Sequence, residues 1–250
     1  MMITDPYFYL VAVPAVLIYG IGKGGLGGAL GVVAVPLISL STHPSTAAAV
    51  LLPLLCLMDL FAVAWHHRHV CWRQIRQIIP GALLGVALAG LLMARAPGWL
   101  LTGFIGIASI LFCLHHWFSP PVPARPGGLG QGTLWGTLTG LFSTTIHAGG
   151  APASMYLLPQ QLEKRLLIGT MAVLFALVNL MKLVPYALLG QLNPGNLQTS
   201  LMLVPLVPVG VWLGVWLVRT ASQRLIYRLC YGLLFLSGLH FLQLSLRAWW

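Results

Sequence analysis

The sequence predicts an all-α polytopic membrane protein made of two inverted repeats, each a glycine-broken, re-entrant helical hairpin followed by three transmembrane helices. Composition is the first observation behind this. Charged residues make up 6% of the 250 residues and apolar residues 58%, whereas a soluble domain is about 25% charged. The net charge is +10, but the cations stand singly between apolar runs. That spacing is typical of membrane topology signals and excludes a nucleic-acid-binding stripe.

The second observation is the length of the apolar runs. Six of them reach the roughly 20 residues that a helix needs to cross a bilayer. Several end in tryptophan, which is typical of the membrane interface. The six predicted spans are 45–65, 74–94, 98–118, 166–188, 197–218 and 226–246.

Two further apolar segments, 8–41 and 133–161, are broken in the middle by glycine-rich sequence, GIGKGGLGG at 20–28 and HAGGAP at 147–152. The pieces on either side are about 11–15 residues long, which is too short to span a bilayer. We therefore expect re-entrant half-helices. Their predicted ranges are 8–20, 27–41, 133–146 and 151–161.

The third observation is that this order of elements occurs twice. A first repeat, 1–118, and a second repeat, 133–250, flank a polar Pro/Gly-rich linker at 119–132 that we expect to be cytoplasmic. Gly24-Gly25 precedes Gly149-Gly150 by 125 positions. Each repeat crosses the membrane three times, an odd number, so the second must be inverted. Inverted repeats with broken helices are typical of secondary transporters.

The distribution of cations supports the hairpin topology. If both broken segments enter and leave on one side, nine cations share one face and only two, Arg95 and Arg247, lie on the other. The positive-inside rule then places both termini in the periplasm. The nine are Arg68, Arg73, Arg76, Arg125, Lys164, Arg165, Arg219, Arg224 and Arg228.

Irregular backbone at membrane depth persists where it lines a protein or water-filled cavity, so we expect the two breaks to meet near the midplane. Helices restarting near Leu26 and Ala151 would direct free N–H groups and positive dipole ends into that cavity, an arrangement suited to an anion. The alternative is that the glycines only permit close helix packing. The substrate-binding candidates are Gly22, Lys23, Gly24, Gly25, His147, Gly149, Gly150 and Ala151.

Three polar residues inside predicted spans are candidates for a charge pair or for ion coupling. Asp59 is the only acidic residue in the six spans, and Lys182, with Asn179 beside it, lies at the matching place in the other half. A charge inside a membrane is costly and often functional. Asp59 and Lys182 could pair across the repeat interface, or Asp59 could relay protons. The alternative is a static structural pair.

Metal and cofactor sites are not expected. Histidines and a cysteine cluster in HHRHVCWR at 66–73, but the neighbouring arginines would repel a metal ion, so we interpret this segment as a solvated loop. A haem-binding redox protein is the alternative from another class. It would need histidines facing each other deep in the helices, whereas most of these histidines lie near helix ends.

The glycine-rich element formed by Gly22, Gly24, Gly25 and Gly28, with Pro36 after it, pairs with GGAPASMYLLPQ in the second half. This combination resembles the sulfite exporter TauE/SafE family over essentially the whole chain. The resemblance implies a secondary transporter of the bacterial inner membrane that moves sulfite or organosulfonates, and it assigns family glycines and prolines to Gly22, Gly24, Gly25 and Pro36 and to Gly149, Gly150 and Pro152. The chain departs from the family pattern by having Lys23 between the glycines and HAGGAP in place of a second full glycine triplet.

The expected partners are a small anion and the lipid bilayer, without nucleic acid. The sequence leaves open a different small anion such as a carboxylate, a coupling proton or other ion, the direction of transport, and assembly as a homodimer.

Overall fold

The structure is a computed structural model that describes residues 2–25, 29–118, 124–220 and 223–249. These residues form helices and connecting turns, without a strand among them, so the predicted all-α class is confirmed. Short 3-10 helices occupy Ala29–Val33 and Leu158–Gln160. The α-helices are α1 (Pro6–Gly25), α2 (Ala34–Ile38), α3 (Pro44–His66), α4 (Trp72–Arg95), α5 (Gly98–Phe118), α6 (Leu129–Ile146), α7 (Gly150–Leu157), α8 (Lys164–Leu188), α9 (Pro194–Leu203), α10 (Leu206–Thr220) and α11 (Gln223–Trp249).

Five of the described helices, α1, α3, α4, α5 and α8, are long and apolar enough to cross a membrane, and α9 with α10 makes a sixth if the pair is one span. α9 and α10 cover the span expected at 197–218, and they meet at a 49° bend. Pro205 lies in the bend, where it lacks an N–H and its ring obstructs the preceding turn.

The first broken segment differs from the expected half-helix at 8–20. α1 continues to Gly25 and is 20 residues long, so Lys23 lies in its last helical turn. Helix α10 packs directly on its glycines: a Cβ on Gly24 would lie 2.2 Å from the backbone oxygen of Val211. The close packing of the two helices explains why α1 tolerates so many glycines.

The second broken segment is interrupted where the sequence predicts. α6 ends at Ile146, and His147 adopts a left-handed conformation with φ 54°. The His147 and Ala148 N–H groups bond back to the carbonyls of Ser143 and Phe142, a common way to end a helix. α7 then begins at Gly150.

Contacts between loops show which helix ends lie together. The Arg125 N–H donates to the Pro159 carbonyl at 2.8 Å, so the α6–α7 segment begins and ends at one end of the bundle. The turn between α3 and α4 lies at the same end, because α4 packs along α6. We call this the basic end. At the opposite end the Ile3 N–H donates to Thr199 Oγ1 at 3.2 Å, and the indole rings of Trp99 and Trp249 stack.

The main helix contacts connect the two halves of the chain. α1 packs on α10, α6 on α4, α3 on α8 and α5 on α11. Each broken segment therefore lies against the second full span of the other half. Glycine permits the close approach of α4 to α6, because a Cβ on Gly85 would lie 2.0 Å from the Thr137 carbonyl oxygen. Helices of one half of the chain thus pack mainly on helices of the other half. The inverted repeat stays a prediction.

Candidate functional site

One face of α8 positions the polar residues in the middle of the bundle. Phe175, Asn179, Lys182 and Tyr186 follow one another at spacings of four, three and four residues. This spacing stacks them on a single face of a helix. All four are buried, with exposures of 7%, 2%, 0% and 0%. We call this row the α8 stripe, and it meets α1, α3 and the end of α6.

Asp59 on α3 accepts hydrogen bonds from both halves of the chain. Lys23 Nζ forms an ion pair with Oδ1, and Asn179 Nδ2 donates to Oδ2. The Lys23 and Asp59 side chains are 6% and 3% exposed. Lys23 Nζ also lies 5.0 Å from the ring centroid of Phe175, within the range of a cation–π interaction. The Lys23 ammonium is therefore matched by a carboxylate.

Lys182 lies one helical turn beyond Asn179 and has neutral partners. Its Nζ lies 3.0 Å from the Ser143 carbonyl oxygen, 3.2 Å from Ser143 Oγ and 2.8 Å from His147 Nδ1. An ammonium has three N–H donors and cannot accept, so Nδ1 of His147 is the acceptor. These contacts use all three donors of Lys182 without matching its charge.

His147 makes further close contacts through both ring nitrogens. Its Nδ1 also lies 2.9 Å from the Ser143 carbonyl oxygen, and its Nε2 lies 2.9 Å from the Ala48 carbonyl oxygen, to which Nε2 donates when Nδ1 accepts from Lys182. Tyr19 Oη donates to the His147 carbonyl at 3.3 Å, and Tyr186 Oη donates to the Thr144 carbonyl at 2.6 Å. His147 therefore ties the second break to α3 on one side and to Lys182 on the other.

With both lysines protonated, this buried group holds an excess of one positive charge. Lys23 and Lys182 are its two amines, and Asp59 is its single carboxylate. The other two acidic residues of the chain, Asp5 and Glu163, precede α1 and α8 at their ends. A buried ammonium without a counter-ion is strongly disfavoured. The group is therefore suited electrostatically to an anion.

The structure brings the charged candidates together in different pairs from those expected. The ion pair of Asp59 is formed with Lys23, from the first break, and not with Lys182. Lys182 instead contacts His147, from the second break. Asn179 bridges to the Asp59 carboxylate. The polar residues of the spans and of the breaks thus form one connected group.

Some of the candidate glycines serve helix packing, and others lie close to the polar group formed around Asp59 and Lys182. Gly24 packs on α10, as in the packing alternative, and Gly22 is buried on α1. Gly25 ends α1. Gly149 lies beside Ser143, where an added Cβ would be 2.8 Å from the serine Cβ.

The helix restarts follow different courses in the two halves. In the second break, buried Gly150 begins α7, with half-buried Ala151 after it. The restart expected at Leu26 lies outside the described residues, and the next described residues form the 3-10 helix Ala29–Val33. Of the two helix N-termini expected at the cavity, the structure therefore describes the one at Gly150.

The charged group is enclosed by protein. Lys182 is 0% exposed and His147 is 3% exposed. A small cleft of about 10 Å³ lies near Ser45 and Thr145, about the smallest volume that holds one water molecule. Among the described residues, Lys182 and His147 are therefore enclosed by neighbouring protein atoms.

Sequence reasoning missed four residues of this site: Tyr19, Ser143, Phe175 and Tyr186. Two patterns could have found three of them. Ser143 lies four residues before His147, the spacing of one helical turn, and the α8 stripe is visible at Phe175 and Tyr186 once Asn179 and Lys182 are singled out.

The histidine-rich segment at 66–73 lies at the basic end. The carbonyl oxygens of His66 and His69 lie against Gly169 of α8, and the Cys71 N–H donates to Thr170 Oγ1 at 2.9 Å. Its backbone therefore packs on α8. Within the described ranges, no three His, Cys, Asp or Glu side chains lie close enough together to hold a metal ion.

Comparison with known proteins gives one match. The family model described as Sulfite exporter TauE/SafE matches residues 12–241 of the 250. The matched range includes every residue of the charged group. No curated protein and no solved structure matches the chain.

Proposed function

We propose that this chain, which belongs to the sulfite exporter TauE/SafE family of membrane transporters, is a secondary carrier of sulfite or a small organosulfonate across the bacterial inner membrane. Members of this family are transporters and not enzymes. The substrate binds between the two broken segments, and no cofactor takes part.

The observation that carries this proposal is the excess positive charge in the middle of the bundle. Two lysines with buried side chains, Lys23 and Lys182, belong to a group that holds one carboxylate, Asp59, which pairs with Lys23. A bound monoanion would make the group neutral, which removes the penalty for a net charge at membrane depth. A cation would raise the buried charge further, and a neutral solute would leave it unchanged.

The closed site and the paired broken segments favour a carrier over a channel. The charged group contacts both breaks, and the buried Lys182 has no open route to either end of the bundle in the described residues. Broken helices on either side of a closed site are typical of alternating access, in which the two repeats move relative to each other.

The orientation follows from the cations. The basic end, with Arg68, Arg73, Arg125 and Arg165 on or beside its loops, faces the cytoplasm under the positive-inside rule. Both termini then face the periplasm. The 119–132 linker is cytoplasmic in this arrangement.

Transport by purified protein tests the proposal. Purified protein would be placed in vesicles of anionic and neutral phospholipid that are loaded with sulfite, methanesulfonate, sulfoacetate or acetate, and the exchange of labelled substrate would be followed. We expect saturable exchange of sulfite or of one of the organosulfonates. Arg95→Gln, at the end of α4, is a control that should leave exchange unchanged. Exchange of acetate alone would contradict the sulfur-containing substrate, and exchange of a cation or neutral solute would contradict anion transport.

A further inference from the structure

We propose that Lys182, rather than Lys23, provides the positive charge that holds the anion, and that the anion is bound as a monoanion. This inference rests on the proposed function, because it names the residue that recognises the substrate. Sequence position alone favours Lys23, since it lies within the glycine-rich element. The geometry favours Lys182.

The two lysines differ in the charge of their partners. The Lys23 ammonium pairs with the Asp59 carboxylate, and Asn179 donates to the same carboxylate. Lys182 contacts the carbonyl and hydroxyl oxygens of Ser143 and one nitrogen of His147, all neutral. An anion at Lys23 would have to compete with Asp59, and its charge would repel that carboxylate. An anion at Lys182 replaces neutral acceptors and gains a charge-assisted hydrogen bond.

The surroundings of Lys182 also provide for recognition of an oxyanion. Ser143 Oγ carries a proton that can turn toward an anion oxygen, and glycine at position 149 keeps a side chain away from it, because an added Cβ would lie only 2.8 Å from the Ser143 Cβ. The Ser143 hydroxyl and the Lys182 ammonium are 3.2 Å apart. Two donors at this separation can contact two oxygens of one sulfonate or carboxylate group.

The charge count sets the charge of the ligand. With Lys23 and Asp59 cancelling, a protonated Lys182 beside a neutral His147 leaves one unmatched positive charge. A monoanion makes the group neutral, whereas a dianion leaves one negative charge buried, which is again unfavourable. Lys182 therefore selects for a single negative charge as well as for an oxyanion.

Binding to the detergent-solubilised full chain tests this inference. Isothermal titration with methanesulfonate would compare the wild type with Lys182→Met, Lys23→Met, Ser143→Asp and the distant control Arg95→Gln. We expect Lys182→Met to weaken binding by about tenfold or more, the effect of losing a charged hydrogen-bond partner. Ser143→Asp should also abolish binding, because its carboxylate would occupy the place of the anion.

Thermal unfolding separates this role from a purely structural one. Methanesulfonate should raise the melting temperature of the wild type and of Arg95→Gln but not of Ser143→Asp. Ser143→Asp should itself melt at least as high as the wild type without ligand, because it supplies the missing negative charge. This variant keeps the inference testable if Lys182→Met does not fold. A Ser143→Asp protein that still binds methanesulfonate, or a larger loss in Lys23→Met than in Lys182→Met, would overturn the inference.

Two comparisons distinguish failure of this inference from failure of the proposed function. Acetate binding that depends on Lys182, without methanesulfonate binding, would support the Lys182 site and contradict a sulfur-containing substrate. Equal methanesulfonate binding by all variants would contradict the Lys182 site and support the substrate class. Ethanesulfonate should bind more tightly than ethanedisulfonate, a dianion of the same chain length, and the reverse order would overturn selection of a monoanion.

Discussion

Lys23 and His147 lie 124 residues apart, at positions that the predicted repeat makes equivalent, and each contacts a polar residue on a long helix that follows it in the chain. Lys23 pairs with Asp59 on α3, and Lys182 on α8 donates to His147. Asp59 and Lys182 are themselves 123 residues apart. In the predicted repeat the two contacts are counterparts, yet one is an ion pair and the other joins a lysine to an imidazole ring. This difference is the origin of the unmatched charge.

Removing the carboxylate should strongly destabilise the protein. Asp59→Asn leaves Lys23 and Lys182 buried without a counter-ion, and breaking a buried pair costs about 3–5 kcal/mol. We expect a marked fall in the melting temperature of the solubilised protein. The double change Lys23→Met with Asp59→Asn should recover much of it.

The control for that experiment is Glu163→Gln, an exposed carboxylate that makes no capping hydrogen bond at the start of α8. This substitution should change the free energy of unfolding by no more than about 0.5 kcal/mol, as ordinary surface substitutions do. The melting temperature should therefore stay close to that of the wild type. A similar effect of Asp59→Asn and Glu163→Gln would contradict the buried ion pair.

Gly24→Ala should act through packing. The new Cβ would lie 2.2 Å from the Val211 carbonyl oxygen, so α1 and α10 must separate, at a cost of about 1–3 kcal/mol. Gly130→Ala, with no atom within 4 Å of its Cβ, is the matched control and should be neutral or slightly stabilising. Melting temperatures of the two variants give the comparison, and a Gly24→Ala protein as stable as the control would contradict the close contact.

Because His147 has a left-handed backbone conformation, we expect the stability of variants at this position to depend more on the shape of the new side chain than on its polarity. Its φ is 54°, a region that asparagine tolerates and β-branched residues do not. We expect His147→Val to be less stable than His147→Asn by about 1–2 kcal/mol. Chemical unfolding followed by tryptophan fluorescence would measure the difference, and equal stabilities would argue against the strained conformation.

The orientation can be tested by cysteine labelling in intact cells, starting from a cysteine-free background. Gln191→Cys, in the turn before α9, should react with a membrane-impermeant maleimide from outside. Ala124→Cys, an exposed position at the basic end, should react only after the cells are opened. The reverse pattern would rule out periplasmic termini.

The fold class was predictable because a span of continuous apolar residues has few alternatives in a bilayer. α3, α4, α5 and α8 occupy the predicted ranges for that reason. The end of α1 was not predictable, because glycine signals both a helix break and a helix contact. Only the position of α10, with Val211 against Gly24, decides between them. Pro205 is a local signal for the bend before α10. It was overlooked because the apolar run at 197–218 has the length of one uninterrupted span.

The charged residues of the candidate site stand out in the sequence, whereas Tyr19, Ser143 and the contacts between the site residues do not. Asp59, Asn179 and Lys182 stand out because polar residues are rare in such spans, and the offset between repeats brings them to the same region. Which lysine pairs with Asp59 depends on the rotation of α1 and α8 about their axes. The sequence does not reveal these rotations, because helices that are apolar on every face carry no pattern that shows which face is turned inward.

The packing of α1 on α10 has a consequence for how the chain is made. Gly20 of α1 lies against Gly210, which leaves the ribosome 190 residues later. Until then, the glycine face of the newly inserted helix meets lipid or another protein in place of its final neighbour. The amino-terminal half therefore cannot complete its mature contacts until α10, which packs on α1, and α11, which packs on α5, have both been synthesised.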